Sequence, residues 1–600
     1  MTTAQTPRTS CDPTTVLEAV FRDAIRSVLG DDYADADPLV RVSQSPDFGD
    51  FQVNGVMKLA KQTKANPRDL AGRIAEAAAA GLDEIADPLE IAGPGFINVR
   101  LKTTAIDAML GAMDTPQLGV SPDTDPRPIA IDLCGVNIAK QMHVGHLRST
   151  IIGDTLARVL ERRGRTVHRQ NHLGDWGLTI AMVLQELRSS DADFDTLTLD
   201  DLDTAYRRAQ QDTGKANDAA NAADPAKETL LRLQQGDEEL LRQWQKIIDV
   251  TMRAVYESFD ALGARVGAEH NRPESFYRDR LAPVVDEFLA AKLAEVDDGA
   301  VIVRFADRDR PLIIRKSDGG FLYSTTDLAA VRYRVQELGA ARVIYVVDAR
   351  QRDHFRDVFD AVRLIGWDRL PDGSRAELVH IPFGSVLGTD RKPLKTRSGE
   401  NVLLATLLTE ATDRATVEVR TRAADSNAPT HGLDDDTLGA IGRAVGIGAV
   451  KYADLSSDLV RDYVFNLDRM IAFEGNTGPY MQYAHARVCS IFARAGLDLD
   501  DSPGTGHEFR IGEPSEKTLA LALLRYGGVV ESVAESLEPH RLCTYMFELA
   551  NAYSVFYEHC PVLKAKDEYV RNSRLSLCRL VRRVLADGLD LLGIEAPTRM

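Results

Sequence analysis

Val136-Asn-Ile-Ala-Lys-Gln-Met-His-Val-Gly-His146 lies between two runs of different periodicity. Before it, Pro128-Ile-Ala-Ile-Asp-Leu-Cys134 is apolar, β-branched and short enough for a buried strand; after it, Leu147 to Leu160 repeats its apolar residues at helical spacing. The order strand, loop, helix predicts a parallel sheet with a ligand crevice at this loop. There a strand's carboxyl end and a helix's amino end bring free N–H groups and a positive dipole together. His143 and His146 stand at the helix start, with only Val144 and Gly145 between them. Gly145 lets a flat ring approach the backbone, and each neutral imidazole can donate one hydrogen bond to a phosphate oxygen. Zinc ligands can share this spacing, but no Cys or acidic cluster nearby completes a set of four, so no metal site is expected.

The chain around this loop has 600 residues, enough for about three or four domains. With 44% hydrophobic and 27% charged residues it reads as soluble and globular. It has no long apolar run and no apolar core near its start, so neither a membrane span nor a signal peptide is expected, and a cytoplasmic location is. Six scattered Cys without a CxxC pair argue against a zinc ribbon or a disulfide framework. The net charge of −18 excludes a protein that coats nucleic acid by charge alone, though local basic surfaces remain open.

Outward from the loop, Thr166 to Gln170 predicts the next strand, and Gly174-Asp-Trp-Gly177 a tight turn that lets a ligand approach backbone. Residues 188–236 are polar and read as exposed helices or an insertion; Leu240 to Phe259 is a long amphipathic helix; 300–305 and 311–315 form a hairpin. A planar guanidinium is held best by carboxylates and amide oxygens facing it, and Asp132, Asn137, Tyr323, Asp327 and Gln351 supply such acceptors from the ends of separate strands. Phe383 to Gly399 is a second glycine-punctuated loop, whose Arg391, Lys392, Lys395 and Arg397 could close on phosphates. Towards the start, Val16 to Leu29 and Asp69 to Ala80 are helices, Gly93 to Leu101 is a turn and strand, and 115–127 a linker. Beyond 400 the pattern is helical. Tyr480, Tyr483 and Arg487 share one helix face, suited to a core or to stacking unstacked bases, and Arg579, Arg582 and Arg583 add a basic stripe.

Asn137-Ile-Ala-Lys140, His146 to Asp154 and Asn171 to Gly177 together resemble the ATP-binding half of class I aminoacyl-tRNA synthetases, and within them the arginyl-tRNA synthetases. The resemblance runs in order from about residue 45 to 600 and implies an α/β fold. Its expected parts are an α/β tRNA-elbow domain at 1–118 and a Rossmann-like catalytic domain at 119–400 with a helical insertion at about 188–300. A helical connector at 401–465 and an all-α anticodon domain at 466–600 follow. It implies ATP contacts at His143, Gly145, His146, Gly174, Asp175 and Ser398, arginine contacts at the five acceptors above, and Lys140, His143, His146, Lys395 and Arg397 as the catalytic set. For tRNA it implies Phe96 and Asn98 at the D-loop and Tyr480, Tyr483, Arg487 and the terminal Met600 at the anticodon loop.

Two departures stand out. Leu133-Cys-Gly-Val136 replaces the more usual small residues and proline, and Leu178-Thr179 stand where polar side chains are common. Lys395-Thr-Arg-Ser-Gly399 is a degenerate KMSKS in which Ser398 replaces the second lysine; many arginyl enzymes share that loss and carry a lysine where Lys140 stands. The resemblance thus implies a monomeric arginine–tRNA ligase using ATP with Mg²⁺ and tRNA(Arg), without zinc. Its rivals are a non-catalytic tRNA-binding paralogue, a second-copy synthetase with altered inhibitor sensitivity, and a shorter HxGH nucleotidylyltransferase, which would have no use for the helices after 466.

Overall fold

The structure, a computed structural model, describes residues 10–216, 225–394, 402–499 and 509–600. The first unit begins with the helix Pro13–Leu29, started by Asp12, whose side chain accepts from Thr14 N at 2.8 Å, and ended at Gly30. Strands β1 (Val40–Val42), β2 (Phe51–Val53), β3 (Glu90–Ala92) and β4 (Phe96–Val99) form an antiparallel sheet in the order β1-β2-β4-β3. Period-two alternation gives it two faces. Phe51, Val53, Ile97 and Val99 are buried in the core with the helices, while Gln52 and Asn98, opposite each other in register, are hydrogen-bonded on the other face at 2.9 Å.

In the second unit, β5 (Ile129–Asp132) and β6 (Val167–Gln170) are followed by a small antiparallel sheet of β7 (Glu295–Asp297), β8 (Ala300–Phe305) and β9 (Arg308–Arg315). The chain then returns through β10 (Arg342–Asp348) and β11 (Glu377–Phe383). The main sheet is parallel, in the order β11-β10-β5-β6. β5 thus has the next strand of the chain on one side and β10 on the other. The winding reverses between β5 and β10, which opens a crevice at their carboxyl ends.

The helix Val144–Arg162 is buried along nearly its whole length, including Arg148, Asp154 and Arg158. Each charge is paired: Arg148 with Asp454 at 3.1 Å and with Gly384 O, Arg158 with Asp154 at 2.8 Å and with Gly263 O. These contacts join the helix to the units around it.

Residues 188–236 contain the helices Leu199–Ala216 and Pro225–Gln234, which bury Leu202 and Leu233 against the helix Leu178–Ser189 and its neighbour Glu238–Leu262. Two further helices, Leu404–Ala423 and Asp435–Leu455, pack closely. A Cβ added at Gly446 would lie 2.6 Å from Ala411 O, so side chains there would force them apart. Beyond them, Gly478–Ala495, Pro514–Leu524, Tyr526–Ser536, His540–His559 and Glu568–Leu591 make a helical unit. Arg525 separates the second of these helices from the third. The basic stripe on the last helix serves a structural end: Arg579 and Arg583 both pair with Asp114, clasping this unit to the first. No described helix is long and apolar enough to cross a membrane.

Candidate active site

The loop leaving β5 is tightly wound. Cys134, Gly135 and Ala139 all have positive φ, near 71°, 66° and 65°. For Cys and Ala that costs about 1–2 kcal/mol each, so the surroundings must hold them. Cys134 N donates to Ser149 Oγ at 2.9 Å, which donates to Val346 O; Ala139 N donates to Thr251 Oγ1 at 3.1 Å. Gly174 N donates to Val136 O and Ile138 N to Gly174 O, both at 3.0 Å. Burial pushes the Cys134 thiol up to about 12, so it stays uncharged beside the crevice.

The loop ends at the two imidazoles. His143 caps the Val144–Arg162 helix, its Nδ1 accepting from Gly145 N at 3.0 Å; His146 Nδ1 accepts from His143 N at 3.1 Å. The rings stack with centroids 3.9 Å apart and planes 28° from parallel. Because each Nδ1 accepts a backbone N–H, each ring carries its proton on Nε2 when neutral. They are neutral: burial and then Lys140 and Arg350 lower His143, while burial, His143 and Lys140 push His146 down to about 3. A Cβ at position 145 would sit 2.8 Å from His143 Cε1, so glycine lets the first ring fold over the backbone.

Both rings line a crevice of about 590 Å³ with Asp132, Asn137, Tyr323, Asp327 and Gln351. The structure therefore brings all five acceptors together with the histidines, but not from the ends of separate strands as expected: Asp132 ends β5 and Asn137 lies in the loop that follows it, while Tyr323 and Asp327 stand on one helix. Tyr323 is 61% exposed in the first turn of the helix Tyr323–Arg332, and Asp327, one turn later, lies 2.6 Å from His354 Nε2. Asp132 is buried and pairs with the wholly buried Arg334 at 2.5 Å. The reading of the sequence gave no role to Glu274, His354 or Arg334. Arg334 had a signal, since it falls 7 residues after Asp327, on the same helical face. Glu274 lines the same crevice, and burial raises its pKa, with the charges of Asp175 and Asp327 adding to that.

Some expected contacts are placed elsewhere. The carboxylate of Asp175, a residue 1% exposed, accepts from Ser275 N at 2.9 Å and from Ser275 Oγ at 2.6 Å, so it fastens the neighbouring loop and does not face the crevice. Lys140 leaves the loop on its far side, with Nζ 4.2 Å from the Tyr206 ring centroid. Lys395, Arg397 and Ser398 lie outside the described residues. The backbone just after them is anchored beside the histidines, with Val144 N donating to Val402 O at 3.2 Å and Leu404 N to Met142 O at 2.9 Å.

The expected nucleic-acid contacts divide. Phe96 is half-buried and, with Arg41 and Gln52, lines a groove of about 810 Å³, whereas Asn98 is 6% exposed and occupied by Gln52. Tyr480 and Arg487 face the helix His540–His559, through Asn551 at 3.2 Å and the Tyr557 ring at 4.0 Å. Tyr483 turns instead to a cluster containing Met600, which is 8% exposed. The three side chains do not form one stripe, and Met600 would have to leave its cluster to meet a ligand.

Residues 15–101 match the model of the arginyl tRNA synthetase N-terminal domain, 115–467 that of the catalytic domain of class I (R) tRNA synthetases, and 481–600 that of the DALR anticodon-binding domain. An arginine–tRNA ligase of Frankia casuarinae is 45% identical, with 100% of each chain covered, and one of Thermobifida fusca is 44% identical, with 98% of this chain and 100% of that one covered. The arginyl-tRNA synthetase structure from Plasmodium falciparum superposes with a TM-score of 0.81 at 27% identity, over 98% of this chain and 99% of that one. The structure from Thermus thermophilus gives 0.80 at 26%, over 98% and 100%.

Proposed function

The chain belongs to the class I arginyl-tRNA synthetases, and from that premise we propose how its own residues divide the work. It is an ATP-dependent ligase that activates arginine as the adenylate and transfers it to tRNA(Arg). In our reading the arginine carboxylate attacks the α-phosphate of ATP in line, and the two Nε2–H groups of His143 and His146 donate to the phosphate oxygens as charge shifts onto pyrophosphate. This is electrostatic catalysis by preorganised neutral donors, with no covalent enzyme intermediate. Asp132, Asp327 and Glu274, with Asn137, Tyr323 and Gln351, hold the guanidinium and ammonium of arginine. Lys140, swung from Tyr206, and Lys395 and Arg397 would neutralise the leaving pyrophosphate. The arginyl group then goes to the 2′-hydroxyl of the terminal adenosine. Mg²⁺ arriving with ATP would screen the phosphate charges, ligated mainly by phosphate oxygens and water.

The observation that carries this reading is the stacked pair of neutral imidazoles facing the same crevice as the carboxylates. For tRNA we propose the Phe96 groove at the elbow and Tyr480, Tyr483 and Arg487 near the anticodon. Met600 would act by packing behind Tyr483. We also propose a cytoplasmic monomer, with light scattering as the check on its state. ATP–pyrophosphate exchange with arginine, with and without tRNA(Arg), tests the chemistry: exchange only with tRNA is expected. No exchange in either condition while tRNA still binds would overturn the catalytic assignment.

A further inference from the structure

The Asp132–Arg334 pair lies at the back of the arginine crevice, and its geometry is unusual for a purely structural ion pair. Arg334 is 0% exposed, and among the described residues only Nη2 of its guanidinium has a carboxylate partner, Asp132 Oδ2 at 2.5 Å. Nε and Nη1 have no hydrogen-bond partner among the described residues. Buried polar groups are nearly always paired, and a buried ion pair is often no better for stability than well-packed apolar side chains. A residue kept only for the fold would not be expected here.

Among the described residues, the guanidinium is paired with one carboxylate, that of Asp132. It lies 4.8 Å from the Tyr345 ring centroid, and Tyr345 is the register neighbour of Asp132 across β10 and β5. Burial pushes the Tyr277 hydroxyl up to about 12 and that of Tyr345 well above its usual value, so neither phenol supplies negative charge. Asp132 does.

The backbone is also shaped for this contact. The helix carrying Tyr323 and Asp327 widens after Arg332 into a π-helical turn, Tyr333–Glu337, that carries Arg334. Such turns recur at functional sites. Arg334 thus ties the helix that presents Asp327 to the strand end that presents Asp132, the two acidic walls between which a guanidinium substrate would lie.

We propose that Arg334 is a positioning residue for the amino-acid substrate: by holding Oδ2 it turns Oδ1 toward the crevice and sets the separation of the two walls. It does not touch the substrate itself. This rests on the reading of Asp132 as an arginine contact.

The test is tRNA-supported ATP–pyrophosphate exchange by the full-length enzyme carrying Arg334→Met, Arg334→Lys, Asp132→Asn or Arg334→Met with Asp132→Asn. Arg334→Met should raise KM for arginine about 30-fold, the scale of one charge-assisted hydrogen bond, while KM for ATP and tRNA stays within about 2-fold. Arg334→Lys, which keeps the charge, should recover part of that loss. The double variant should be no worse than Asp132→Asn alone, because Arg334 acts through that carboxylate. An unchanged KM for arginine, a parallel rise in all three KM values, or additive losses in the double variant would overturn the proposal. If Arg334→Met fails to fold, Arg334→Lys decides by the same split between arginine and the other substrates. If Asp132→Asn leaves KM for arginine unchanged, the reading of the site fails first; if Asp132→Asn is impaired and the Arg334 variants are not, only the role of Arg334 fails.

Discussion

At the scale of single residues, the role proposed for the two histidines depends on their being uncharged. A buried imidazole whose Nδ1 already accepts a backbone N–H can offer a phosphate only its Nε2–H, and it does so without exchanging a proton with water. His146→Ala should therefore cost about 2–4 kcal/mol of transition-state stabilisation, read as a fall of about 10²–10³-fold in exchange rate. An unchanged rate would remove His146 from the chemistry. The same burial links His146 to acid stability. Its pKa is about 3 in the fold but lies near the ordinary 6.5 when unfolded, so below pH 6.5 the unfolded chain binds the proton first. This contribution is present above 6.5 and is lost as the pH falls from there toward 3. The melting temperature of His146→Gln should thus decline less between pH 7 and pH 5 than that of the native enzyme; equal slopes would contradict the assigned burial.

At the scale of elements, the site is made by the junction of a strand end with a helix start. The His143 cap, the Gly145 backbone and the His146 ring form one reciprocal arrangement, so position 145 affects both donors. Gly145→Ala places a methyl 2.8 Å from His143 Cε1, and the ring must leave its cap. Losing a helix N-cap costs about 0.5–2 kcal/mol of stability, and the displaced donor should lower exchange by at least about 10-fold. Full exchange with an unchanged melting temperature would show that the ring can move freely. The neighbouring contact of Asn137 with the Gly174 backbone is equally close: a Cβ at 174 would lie 2.3 Å from Asn137 Oδ1, so this loop too has no room for a side chain.

At the scale of the molecule, the units are fastened by ion pairs between them. Arg579 and Arg583 share Asp114, Lys517 reaches Asp50 at 2.8 Å, and Arg158 reaches Asp590 at 3.1 Å. Lys451 donates to Leu262 O and Gly593 O from the middle of the assembly, and burial lowers its pKa to about 8. Asp114→Ala would leave two guanidinium groups without that carboxylate. It should weaken the docking of the first unit by about 3–5 kcal/mol, seen as an earlier urea transition and faster proteolysis near 115–127. An unaltered transition would mean that the apolar contacts between the units suffice.

Local order was written in the chain. The apolar, β-branched run before Cys134, the helical spacing after His146 and the glycine between the histidines were enough for a parallel sheet with a crevice at this loop, because each depends on residues close in sequence or on one periodicity. What required the folded chain was pairing over long separations. Asp175 looked like a ligand contact until Ser275, 100 residues away, was seen to occupy its carboxylate. The basic stripe on the last helix read as positive charge added beside a base-stacking face until Asp114, 465 residues before Arg579, was found against it. Arg334 meets Asp132 over 202 residues. A charged side chain looks the same in sequence whether it meets water, a substrate or a buried counter-ion. Which it meets depends on which surfaces the whole chain brings into contact, and only the tertiary structure decides that.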